Sequence, residues 1–116
     1  MPGHAFAPFT KLESLDLGQN LFPSVEAGAL TGLARLTHLA VSGCPHLAEV
    51  EAGAFSDLRD LQSLSLASNR KLRLIQPGAF GDVTSLRALD LSNNGLSSVS
   101  SQLLDWTSLA LSLIHI

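Results

Sequence analysis

The stretch Leu61-Gln62-Ser63-Leu64-Ser65-Leu66-Ala67-Ser68-Asn69 carries leucine at its first, fourth and sixth positions and asparagine at its ninth. The Leu64-x-Leu66 alternation sets both side chains on one face of a short strand, with Ser63, Ser65 and Ala67 on the other. So short a strand cannot bury its apolar face alone and needs like neighbours stacked against it.

Those neighbours lie up and down the chain. The same pattern reads as Leu12-x-x-Leu15-x-Leu17-x-x-Asn20, as Leu36-x-x-Leu39-x-Val41-x-x-Cys44, and as Leu86-x-x-Leu89-x-Leu91-x-x-Asn94. The leading leucines fall 24, 25 and 25 residues apart (12 to 36, 36 to 61, 61 to 86). A second block keeps step with the first. Val25, Val50, Ile75 and Val99 each precede a pair of side chains with three residues between: Ala29-Leu30, Ala54-Phe55, Ala79-Phe80 and, more loosely, Leu103-Leu104. Leu33, Leu58 and Val83 come next, and at the N-terminus Ala5-Phe6 and Phe9 lead into Leu12, so Met1 falls inside a repeat.

In register over residues 1–110, these blocks resemble the leucine-rich-repeat family, in its 24-residue class of slit-like and Toll-like proteins. The resemblance implies an α/β-type solenoid of about four repeats: a curved right-handed coil with short parallel strands on its concave face. Turns and 3₁₀ segments are expected on the convex face, where Ala27-Gly28, Ala52-Gly53 and Pro77-Gly78 suit tight turns. The resemblance also implies an extracellular or cell-surface location and a protein ligand or receptor as partner. The function it implies is recognition, adhesion or receptor assembly; the alternative is a spacer array in a larger receptor or scaffold.

Composition narrows the classes. The chain has 116 residues, 46% of them apolar, which suffices for one core. Net charge is −3, with seven Lys and Arg, 5% aromatic residues and no Tyr, so neither the basic stripe nor the stacking rings of a nucleic-acid binder are expected. No apolar run reaches the roughly 18 residues of a membrane helix, and the opening Met1-Pro2-Gly3-His4 has neither part of a signal peptide. No Asn-x-Ser/Thr acceptor occurs.

Three irregularities interrupt the pattern. Pro45-His46-Leu47 and Arg70-Lys71-Leu72 carry one extra residue, expected in the loop leaving each strand, and Trp106 is expected to cover the core. Counted from Leu109, the terminal Leu111-Ser112-Leu113-Ile114-His115-Ile116 falls out of register. Read back through the genetic code, this hexapeptide matches a translated transposase adapter used in sequencing libraries. Residues 111–116 are therefore expected to be a non-native tail, with the array of residues 1–110 truncated at both ends.

Few residues invite chemistry. Asn20, Asn69 and Asn94, with Cys44 at the same position, are expected from the resemblance to form a structural ladder joining adjacent turns. Cys44 as a nucleophile would need a base, and neither His38 nor His46 has an acid evidently placed to orient it; no catalytic residue, metal site or cofactor is expected. Arg70-Lys71-Leu72-Arg73 is the sole basic cluster, expected as a solvated loop with contact to a sulfated glycan or acidic partner as the alternative. The outward strand positions define three columns: Ser14, His38, Ser63, Ala88; Asp16, Ala40, Ser65, Asp90; and Gly18, Ser42, Ala67, Ser92. Their residues, with Arg87 beside them, are the expected contact surface, flanked by Glu13, Gln19, Gln62 and Asn93.

Overall fold

The computed structural model describes residues 11–55, 58–76, 78–80 and 85–96, together with the backbone of 114–115. The readings on Met1, Ala5, Phe6, Phe9, Pro77, Val83, Val99, Leu103, Leu104, Trp106 and Leu109 lie outside the described residues.

Four strands follow from the four leucine blocks: β1 (Ser14–Asp16), β3 (His38–Ala40), β5 (Ser63–Ser65) and β7 (Ala88–Asp90). They pair in parallel, with Leu15 against Leu39, Leu39 against Leu64 and Leu64 against Leu89. The backbone ladder extends past these short strands at both ends. Thr37 N donates to Glu13 O at 2.8 Å on entry, and Gln19 N donates to Ser42 O at 2.9 Å on exit. Each coil thus satisfies the backbone groups of the next, which an isolated three-residue strand could not do.

The convex side carries the expected turns and adds a second sheet to them. Turns occur at Ala27-Gly28, at Ala52-Gly53 and at Gly78, whose glycines have φ of 78°, 78° and 88°, a region that suits glycine. No 3₁₀ helix occurs among the described residues. Instead β2 (Ser24–Val25), β4 (Glu49–Val50) and β6 (Leu74–Ile75) make a second parallel sheet, in the order β2-β4-β6. The reason is the β-branched residue that opens the return segment. Val25, Val50 and Ile75 stack in register with their side chains buried, which leaves their backbones extended and able to pair.

The core fills the space between the two sheets. In one coil, Leu36, Leu39, Val41, Leu47, Val50 and Phe55 are all buried, with Leu39 only 2% exposed. Phe55 stacks on Phe80 of the next coil at 5.3 Å between ring centroids. Leu47 and Leu72, which follow the extra residue in repeats two and three, are fully buried, whereas Phe22 in the first described coil is half-buried.

The end of the chain also departs from the sequence reading of its register. β8 (Ile114–His115) pairs in parallel with β7, with Ile114 opposite Leu89. The spacing that matters runs from Leu89, not Leu109: 25 residues on from Leu89 comes Ile114.

Candidate functional site

Side chains that point away from the core line up across the larger sheet. The register places Ser14, His38, Ser63 and Ala88 in one row and Asp16, Ala40, Ser65 and Asp90 in the next. Ser14, Asp16, His38, Ala88 and Arg87 are exposed, while Ala40, Ser42, Ser63, Ser65, Asp90 and Ser92 are half-buried.

The second row has a structural task beyond the contact role expected of it. Asp16 Oδ1 accepts the backbone N–H of Gly18 at 2.8 Å, and Asp90 Oδ1 accepts that of Ser92 at 3.0 Å. Ser65 Oγ takes the N–H of Ala67 at 3.4 Å. An acceptor two residues before a turning amide is a local cap, so these side chains hold the strand exit. The signal was available in the Asp16-x-Gly18 and Asp90-x-Ser92 spacing.

Ala40 is the member of that row with no side-chain acceptor. The short side chain leaves two adjoining open hollows that both include Ala40. One, of ≈ 370 Å³, is lined by Asp16, Gly18, Gln19, Ala40 and Ser42. The other, of ≈ 260 Å³, runs from Ser14 and Asp16 past His38 and Ala40 to Ser63 and Ser65. Ser42 Oγ and Ser65 Oγ meet at 2.9 Å along the rim, and His38 Nδ1 lies 2.9 Å from Thr37 Oγ1. A Cβ added at Gly18 would come within 2.9 Å of Ser42 O, so glycine there keeps the hollow's floor close-packed.

A ladder of side-chain amides runs along the strand exits. Asn69, fully buried, donates from Nδ2 to Val41 O at 2.6 Å and to Leu66 O at 2.8 Å, while its Oδ1 accepts the N–H of Cys44 at 2.9 Å. Asn94 donates to Leu91 O and accepts from Asn69 N; Asn20 donates to Leu17 O. Cys44, also fully buried, directs its thiol toward Leu17 O at 3.6 Å.

Opposite lies a second ladder that sequence reasoning missed. Glu51 Oε1 accepts the N–H of Ala27 at 3.4 Å, Gln76 Oε1 accepts that of Ala52 at 3.1 Å, and Gln76 Nε2 donates to Glu49. The Glu or Gln after each Val or Ile was its visible sign. Among the described residues no group of three or more His, Cys, Asp or Glu is placed to hold a metal ion, and no helix is long and apolar enough to cross a membrane.

The family model described as "Leucine rich repeat" matches residues 1–45 and 44–96. The chain belongs to the leucine-rich-repeat family. No curated protein matches it at the level of sequence. Among solved leucine-rich-repeat structures it is similar to human 5T4 (Wnt-activated inhibitory factor 1, trophoblast glycoprotein), at 28% identity and a TM-score of 0.68, covering 83% of this chain and 38% of that one. It is similar in fold to Toll in the Drosophila Toll–Spatzle complex, at 19% identity and a TM-score of 0.67 over 81% of this chain and 12% of that one. It is also similar to TLR13 in complex with ssRNA13, at 31% identity and a TM-score of 0.53 over 89% of this chain and 18% of that one. The chain therefore spans well under half the length of each of these leucine-rich-repeat proteins. Because one of them holds RNA, family membership carries no exclusion of nucleic acid.

Proposed function

We propose that these repeats form a non-catalytic protein-recognition module of a secreted or cell-surface leucine-rich-repeat protein, with the outer face of the larger sheet as its contact surface. The observation that carries this reading is the hollow at Ala40, rimmed by Asp16, Ser42 and Ser65, where a protruding side chain of a partner can reach the sheet. A rigid face with local depressions is the shape a protein partner exploits. TLR13 is seen with ssRNA, but here Glu13, Asp16 and Asp90 face outward against Arg87, a balance that repels phosphate. The location rests on the resemblance to the 24-residue class and to human 5T4.

The contact set is Ser14, Asp16, His38, Ala40, Ser42, Ser63, Ser65, Arg87, Asp90 and Ser92. Residues 1–110 are the array, continuing beyond both ends in a longer parent. Residues 111–116 are assigned to the adapter-derived tail on their sequence, although Ile114 falls in register opposite Leu89, and they are left out of the contact set. A parent transcript that encodes Leu-Ser-Leu-Ile-His-Ile at this place would overturn the last assignment.

One observation favours the spacer reading: Asp16, Ser65 and Asp90 already cap their own strand exits. Exchanging Ser14, His38, Ala40, Ser42 and Ser63 for the residues of another array, in the full-length parent, decides between the two. Lost partner binding with unchanged melting supports recognition; retained binding leaves the spacer.

A further inference from the structure

We infer that the loop carrying Arg70, Lys71 and Arg73 is a binding site for a sulfated polysaccharide, on an edge of the solenoid separate from the outer sheet face. This inference does not rest on the protein-recognition reading, because the two use different residues.

Three of the chain's seven Lys and Arg fall within positions 70–73, although the net charge is −3. All three side chains are exposed, and none engages an acid among the described residues. Glu49, on the strand beside Arg73, is already bonded by the side chain of Gln76. Unpaired cations on a protein surface are common, but here the backbone that carries them is held on three sides. Leu72 is fully buried between them as an anchor. Leu72 N donates to Asn69 O at 2.9 Å, and Arg73 N donates to Ala48 O at 3.0 Å. On the far side Gly95 lies so close that an added Cβ would come within 2.7 Å of Arg70 O and 2.9 Å of Leu72 O. The loop thus presents its charges with little backbone entropy left to lose on binding.

The ligand class follows from what surrounds the charges. The three charged side chains are exposed on a surface loop, which fits an extended polyanion held by charge. Two of the three are arginines, whose planar forks pair with tetrahedral oxyanions in two-point fashion. His46 sits exposed at the equivalent place in the preceding loop, which Ala48 O ties to this one, and extends the row along the coil axis. Among the described residues the phenylalanines are buried or half-buried, so the imidazole of His46 is the one ring beside these charges and no run of rings is offered for successive bases. A sulfated sugar chain needs no such run, whereas single-stranded RNA gains much of its affinity from one.

Binding to immobilised heparin tests the site. Combined Arg70→Ala, Lys71→Ala and Arg73→Ala should weaken retention about tenfold or more at low salt and flatten its salt dependence by two to three counterions. Combined Lys11→Ala, Arg35→Ala and Arg59→Ala removes the same charge elsewhere and should leave retention nearly intact. Arg70→Lys with Arg73→Lys keeps charge but loses the forks, and should fall between; it also serves if the alanine variant melts early. Equal loss in the first two variants, or no loss in the first, overturns the proposal. Tighter binding to single-stranded RNA than to heparin at the same salt overturns the assignment of ligand class.

Discussion

Asn69 reaches backward to the preceding coil: its Oδ1 accepts the N–H of Cys44 at 2.9 Å while its Nδ2 donates to Val41 O at 2.6 Å. With Leu66 O as a third partner, one buried side chain satisfies three main-chain groups. Truncation leaves them unpaired, and each buried orphan costs about 1–3 kcal/mol. Asn69→Ala should therefore lose at least about 3 kcal/mol in urea unfolding followed by circular dichroism. Asn20 is exposed and bonds only carbonyls of its own coil among the described residues. Asn20→Ala should lose less than about 1.5 kcal/mol. Equal losses would mean that the cross-coil bonds contribute nothing.

Cys44 fills the same place with a poorer donor. Its thiol points at Leu17 O across 3.6 Å, where an amide would make a shorter and stronger bond. Cys44→Asn restores the ladder and should raise stability by roughly 0.5–1 kcal/mol, the net worth of an ordinary hydrogen bond. A lower melting temperature would show that the pocket is shaped for sulfur and that packing outweighs the gained bond.

The sequence made the coil legible because its period is set by burial. Leu39, Leu64 and Leu89 must all face one core, and spacings of 24 and 25 residues leave no other register. What stayed hidden was the polar half of the design. Ser and Asp at outward positions read as potential contacts, yet Asp16 and Asp90 turn back to cap Gly18 and Ser92, a choice made by local geometry that side-chain type alone does not announce. The second sheet escaped notice for a related reason. A two-residue strand such as Glu49–Val50 has no alternation to detect and exists because its neighbours in adjacent coils exist. The hollow at Ala40 is likewise a property of the stack: alanine becomes a gap when Asp16 and Ser65 stand on either side.

Strand parity makes a sharp contrast between adjacent positions. Leu64 is fully buried, so Leu64→Asp places a carboxylate in the apolar core and should abolish cooperative folding, a loss above roughly 4 kcal/mol. Ser65 occupies the row in which Asp16 and Asp90 already cap a following amide. Ser65→Asp offers the same acceptor to Ala67 N but faces Asp90 across the strands, so it should cost about 1 kcal/mol and leave folding cooperative. Comparable unfolding of both variants would reject the assignment of faces.

The residue before each ladder position takes a left-handed turn. Gln19, Gly43, Ser68 and Asn93 have φ of 61°, 68°, 61° and 58°, one in every described coil. For a residue with a Cβ this conformation costs about 1–2 kcal/mol, and glycine alone occupies it freely. Ser68→Gly releases that strain but loosens the unfolded chain, so its net gain should be roughly 0.5–1 kcal/mol. Ser68→Val worsens the clash with a branched side chain and should cost at least about 1 kcal/mol. Ser68 is exposed, which keeps both readings free of lost packing. Thermal melts that rank valine at or above glycine would show that the turn is not strained at this position.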